Sequence, residues 1–213
     1  GSFAPSKSRV SVDANGHGVF DENTQSYAGV TNNEWDDWAH YSDEINSTEK
    51  FKPGDFSSMG DKLTAEDISE LSSIRGKIQA AAESNFVVGN FAQFRGESFD
   101  TLAEAKSRYK HNALITLDRL TGTTNDLDIA TLYASGGGGA PGILLNDGRV
   151  KVLLAFQQSG GIQGVQTAPM GVPSNELVMP KGAQFRVRGV RPAGKNFLVV
   201  ELYNKNSPRG QRV

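Results

Sequence analysis

Between Thr64 and Glu83 the apolar residues recur at helical spacing. Ile68, Leu71, Ile74 and Ile78 lie close to one stripe, Thr64 stands where an N-cap belongs, and Asp67 occupies the capping-box position three residues on. A helix from Thr64 to about Glu83 is predicted. Ahead of it, residues 1–33 are polar, rich in Asn, Gly and Ser, and show no sustained period, which reads as a poorly ordered arm or a wrapped extension. Glu34 to Tyr41 starts a short helix with Trp38, Tyr41 and Ile45 at helical spacing. Both tryptophans fall here, and their plain reading is that they dock the extension on the core.

After the long helix, Phe86 to Phe94 reads as extended structure ending at Arg95-Gly96. Asp100 to about Lys110 reads as a helix burying Leu102, Ala105 and Tyr109. Ala113 to Leu120 reads as a strand whose end carries a Thr121-Gly122-Thr123-Thr124 turn, with Asn125 or Asp126 capping a short helix through Tyr133. Ser135 to Gly142 holds four consecutive glycines without the Lys-Ser/Thr of a nucleotide-binding P-loop, so a flexible loop is expected. The remainder is strand-rich: Arg149 to Phe156, Ile162 to Val165, then Glu176 to Met179 with a Pro180-Lys181-Gly182 turn. A hairpin with the strand from Gln184 is expected, its alternation placing Phe185 and Val187 inward and Gln184, Arg186 and Arg188 outward. Asn196 to Tyr203 completes the set. Helices followed by many short strands predict an α+β domain, not alternating βαβ units.

Composition narrows the chemistry. The 213 residues suffice for one domain with an extension, here placed at 1–59 ahead of the main domain at 60–213. Lys and Arg number 22 against 24 Asp and Glu, a formal charge of −2, so there is no general cationic surface for nucleic acid. No apolar run has the length of a membrane span. The opening Gly1-Ser2 reads as an expression-tag remnant with no secretory leader behind it. Cysteine is absent, which removes disulfides, thiolate nucleophiles and Cys-ligated metals. His17, His40 and His111 show no ligand spacing, so no metal is expected. No Gly-x-Ser-x-Gly elbow supports a serine hydrolase.

Three polar features remain, at predicted strand ends or turns: Phe94-Arg95-Gly96, the Thr121–Thr124 block, and Glu176-Leu177-Val178-Met179-Pro180-Lys181-Gly182 ahead of Phe185-Arg186-Val187. Singly each is weak. Their order resembles the mono-ADP-ribosyltransferases of the Arg / Ser-Thr-Ser / Glu class, and most of all the Alt/Mod-type transferases of tailed phages, over roughly residues 60–204. The resemblance implies N-terminal helices packed on a split antiparallel β-sandwich with a central NAD cleft. It implies cleavage of the nicotinamide–ribose bond of NAD, the substrate, and transfer of ADP-ribose to a macromolecular acceptor. That acceptor would be a protein of the bacterial host or target cell, with nucleic acid as a second acceptor class and no membrane partner. The protein would act in the host or target cytoplasm, delivered by phage or secreted as an effector.

By the same resemblance Glu176 is the catalytic acid. It would stabilise the positive charge that builds on the ribose as nicotinamide leaves. Arg95 would hold an NAD phosphate, Gly96 would let backbone approach the cofactor, and Thr121, Thr123 and Thr124 would brace the site. The glycine-rich loop would lie over the nicotinamide. Two positions depart from the pattern. Gly122 falls where the family carries the first Ser of Ser-x-Ser. Ser174 falls at the acceptor-recognition position, two residues before the catalytic Glu, where arginine-modifying relatives carry Glu. Water in place of the acceptor would make the same site an NAD glycohydrolase, and a silent binding module is the reading from another class.

Overall fold

The computed structural model describes residues 20–21, 26–87, 89, 92–126, 148–167 and 176–205. Three short strands, β1 (Phe20–Asp21), β2 (Ser26–Tyr27) and β3 (Val30–Thr31), form a small antiparallel sheet and lead into helix α1 (Asn32–Asn46). Val30 is fully buried, so the polar arm expected over 1–33 is structured at its end. Thr31 and Glu34 form a capping box at the start of α1, which kinks at Tyr41. A single 3₁₀ turn (Thr48–Lys50) follows. Helix α2 (Ala65–Ser84) starts on the expected Thr64–Asp67 box and buries Leu71, Ile74 and Ile78. Next come β4 (Phe86–Val87), β5 (Ala92–Phe99), α3 (Leu102–Arg108), β6 (Leu114–Thr116) and β7 (Thr121–Thr124). β8 (Val150–Gln157), β9 (Ile162–Gln163), β10 (Val165–Gln166), β11 (Glu176–Met179), β12 (Gln184–Gly194) and β13 (Phe197–Asn204) complete the chain.

Eight of these strands make one sheet in the order β10-β11-β7-β5-β8-β13-β12-β6, with β13 parallel to β8 and the other pairs antiparallel. β4 pairs separately with β9. The Pro180–Gly182 turn does not close a hairpin, because β11 pairs with β7 and β10 while β12 pairs with β13 and β6. Instead, β6–β7 and β11–β12 run antiparallel as one ribbon that keeps its register across a break: Ile115 opposes Phe185 on one side and Thr123 opposes Leu177 on the other. At the break Pro180 has no N–H to donate and Gly182 sits at φ +94°. Leu117 still bonds both Ala183 and Gly182 through backbone. The two chains therefore bend together. The ribbon ties opposite ends of the sheet order, so the sheet folds back on itself as a split sandwich.

Two cores result. Alternate residues of β11, Leu177 and Met179, pack with Val152, Leu154, Phe156, Phe185, Val200 and Leu202 inside the sandwich. Val178, between them, packs with Leu120, Val165, Trp35, Trp38, Ile74 and Ile78 beneath the helices. The architecture is α+β, with α1 and α2 laid over one face.

Four local expectations change. Thr121–Thr124 is a strand, because its three β-branched threonines and Gly122 pair along the whole of β11. Arg95-Gly96 lies inside β5, since pairing with β8 continues to Phe99. The strand expected to Leu120 stops at Thr116, where the ribbon bends. Leu102 is exposed at 37 %, while Ala105 and Tyr109 are buried as expected. The helix after Asp126, the glycine-rich loop and Ser174 lie outside the described residues.

Candidate active site

The β11–β7 ladder sets the geometry. Glu176 opens β11 opposite Thr124, and Val178 faces Gly122 two positions along. Paired residues of an antiparallel ladder share a face, so Glu176, Thr124 and Gly122 lie on the side that carries Val178, beneath the helices. Glu176 Oε1 accepts a hydrogen bond from Trp38 Nε1 of α1 at 3.0 Å. The Thr167 hydroxyl, beyond β10, reaches the same oxygen at 3.4 Å, and the Thr167 amide donates to the Glu176 carbonyl at 2.9 Å. Oε2 lies over Gly122, where an added Cβ would come within 2.9 Å of it. Gly122 thus gives the carboxylate room on the strand that faces it. The hydroxyl missing at this position has a steric counterpart: any side chain there displaces Glu176.

Arg95 comes from the neighbouring strand. β5 meets β7 at a single paired position, Phe94 with Thr124. Beyond it the Arg95 guanidinium bridges the seam, Nη1 donating to the Gly122 carbonyl at 2.9 Å. Its charge reaches Glu176. Part of Glu176 is open to solvent, yet burial of the carboxylate pushes its pKa above the ordinary value. The Trp38 and Thr167 hydrogen bonds and the Arg95 charge pull the other way without overcoming burial.

The remaining expected residues fall around this pair in different ways. Gly96 follows Arg95 in mid-strand, paired with Leu153. Thr124 is buried on the Glu176 side, its hydroxyl accepting from the Asp126 amide at 3.0 Å. Thr123 projects to the opposite face, where its hydroxyl donates to the Leu177 carbonyl at 2.9 Å and lies 3.4 Å from Gln93 Oε1. Thr121 is buried and donates to the Arg119 carbonyl at 2.9 Å. Both hydroxyls fasten backbone. Two groups that touch the Glu176 carboxylate, Trp38 and Thr167, had no signal in the sequence for that role. Their partner is 138 residues away in one case and nine in the other.

The arrangement offers a carboxylate on β11 and a guanidinium on β5, on either side of β7, the one able to accept hydrogen bonds from hydroxyls and the other to donate to an anion. Among the described residues no group of three or more His, Asp or Glu is placed to hold a metal ion.

No protein-family profile and no curated protein matches the sequence. Solved structures do match in shape. Vis, an ADP-ribosyltransferase from Vibrio splendidus, in complex with agmatine, superposes with a TM-score of 0.58 at 12 % identity, covering 99 % of this chain and 86 % of that one. The C3 exoenzyme of Clostridium limosum superposes at 0.50 with 10 % identity, covering 95 % of this chain and 91 % of that one. The fold is that of the ADP-ribosyltransferases. In this ADP-ribosyltransferase fold the β5–β7 seam, paired at Phe94 and Thr124, is where Arg95 reaches the Gly122 carbonyl and brings its charge near Glu176. Among the described residues no helix is long and apolar enough to cross a membrane.

Proposed function

We propose that the protein is an NAD-dependent mono-ADP-ribosyltransferase that cleaves the nicotinamide–ribose bond and transfers ADP-ribose to a protein of a host or target cell. The observation that carries this reading is the Glu176 carboxylate, held by Trp38 and Thr167 and facing the Arg95 charge inside an ADP-ribosyltransferase fold. The chemistry follows from charge. As nicotinamide departs, the ribose becomes oxocarbenium-like, and a fixed carboxylate in a partly desolvated site stabilises that charge more than it stabilises neutral ribose. Arg95 supplies a grip for an NAD phosphate, Gly96 allows close backbone approach, and Thr121, Thr123 and Thr124 keep β7 in place behind Glu176. Ser174, ahead of Glu176, is the acceptor-recognition position. A hydroxyl there does not offer a guanidinium the two-oxygen partner that a carboxylate would, so the reading favours an acceptor other than arginine. Delivery as a secreted toxin or effector fits the toxins that share the fold; delivery by phage rests on the sequence blocks alone.

The test follows nicotinamide release and label transfer from labelled NAD in a bacterial or eukaryotic lysate. The wild type should label a discrete, protease-sensitive band. Glu176→Ala should lower both signals by on the order of a hundredfold or more, as expected for loss of a group acting at the transition state. Arg95→Ala should chiefly raise the NAD concentration required. Nicotinamide release with no labelled acceptor would mark an NAD glycohydrolase. Equal turnover by Glu176→Ala would end the assignment of the acid.

A further inference from the structure

The helix that carries Trp38 lies ahead of every block by which the sequence resembles a transferase, yet its indole is bonded to the proposed catalytic carboxylate. Trp38 is 4 % exposed. An indole N–H is a donor only and, when buried, needs an acceptor. Here the acceptor is Glu176 Oε1, which the Thr167 hydroxyl approaches from the far side. One oxygen is therefore fixed from α1 and from the end of β10, while the other lies over Gly122. A flexible side chain at the first residue of a strand is thereby held to one rotamer with one defined edge.

We propose that Trp38 is a positioning residue for Glu176, so that the catalytic unit begins no later than α1 and the segment before residue 60 is part of the active centre. The inference rests on the transferase reading of the site. Trp38 touches no reacting atom; it acts through the carboxylate by holding its orientation and favouring its ionised form. Among the described groups packed around Glu176, β5 contributes Arg95, whose charge acts on it, while α1, β7 and the end of β10 contribute Trp38, Gly122 with Thr124, and Thr167. Of the acids near Trp38 on its own helix, Glu34 pairs with Lys77 of α2, Asp36 lies 3.6 Å from His40, and Asp37 is repelled by Glu70 of α2.

Trp35 provides a matched control. It sits on the same helix in the same core and is equally buried, at 4 %. With each variant checked for native far-UV dichroism, nicotinamide release is measured against pH for wild type, Trp38→Phe, Trp35→Phe, Glu176→Gln and the Trp38→Phe/Glu176→Gln double variant. Trp38→Phe should lower kcat by on the order of tenfold to a hundredfold, the scale of a hydrogen bond to a charged group. Its acidic limb should move to higher pH, with KM for NAD little changed. Trp35→Phe should keep the limb of the wild type, and the double variant should be no slower than Glu176→Gln alone. A second readout needs no turnover. Of the two indole N–H resonances, the one that persists in Trp35→Phe should titrate with pH in the wild type and cease to do so in Glu176→Gln. An unmoved acidic limb in a folded Trp38→Phe, or an indole resonance indifferent to Glu176→Gln, overturns the proposal. A wild type that releases no nicotinamide refutes the transferase reading, and the indole titration then decides by itself whether Trp38 holds Glu176.

Discussion

Glu176 sits where its own ionisation is opposed. Burial raises its pKa above the ordinary 4.5, and three favourable neighbours only reduce that rise. The folded state thus holds the proton more tightly than the unfolded chain, so stability falls as pH climbs from the ordinary carboxylate value through the raised one. Replacing Glu176 with Gln removes this cost while keeping an acceptor for Trp38. The variant should melt above the wild type at pH 7, and the gap should close as the pH falls below about 4, measured by calorimetry across pH. Glu34 works in the opposite sense. Burial alone would raise it, but Lys77 at 2.6 Å and the Thr31 amide and hydroxyl outweigh burial and lower it. Its contribution is present at neutral pH and is lost as pH falls through the lowered value. A carboxylate kept at a site that disfavours its charge is the pattern expected where activity and stability pull apart.

Helix ends and ribbon ends differed in how openly they were written. The Thr64–Asp67 box is local: the Thr64 hydroxyl accepts from the Asp67 amide at 3.1 Å, and the Asp67 carboxylate accepts from the Thr64 amide at 2.8 Å. All the atoms involved lie within four residues, so sequence spacing alone places it. Thr64→Ala should cost about 1 kcal/mol in urea unfolding, with nicotinamide release unaffected because the box is an exposed contact confined to the first turn of α2. The Thr121–Thr124 block had two local readings, turn or strand, and local chemistry did not choose between them. Pairing with β11 chose. The same pairing turned Arg95-Gly96 from a strand end into a strand interior, because β8 offers partners as far as Val150. Pro180 and Gly182 suggested a hairpin turn, and the structure has a bend in a longer ribbon instead; its partner at Leu117 lay 65 residues earlier and was not legible.

β11 joins the two cores, giving Leu177 and Met179 to one and Val178 to the other. Loss of packing in either core should therefore be felt by both in a single transition. Phe156 is fully buried in the sandwich core and meets Phe185 edge to face with centroids 4.8 Å apart. Phe156→Ala should cost about 3–5 kcal/mol. Both tryptophans of the chain lie in the other core, under the helices. Their fluorescence should nevertheless shift its urea midpoint by as much as far-UV dichroism does. A fluorescence midpoint that stayed put while dichroism moved would show the two cores unfolding separately.

What could be read along the chain was what short range controls: the capped α2 with its stripe, the alternation that buries Phe185 and Val187, the α+β class, and the residue types Arg95 and Glu176 in a recognisable order. Periodicity and capping involve neighbours a few residues apart, and the sequence states them directly. Packing decided the rest. The bent ribbon that splits the sandwich, the seam at which Arg95 approaches Glu176, the room at Gly122 and the hydrogen bond from Trp38 each join residues from 27 to 138 positions apart. No local pattern encodes such pairs, because their energies exist only once β7, β11 and α1 have been brought together.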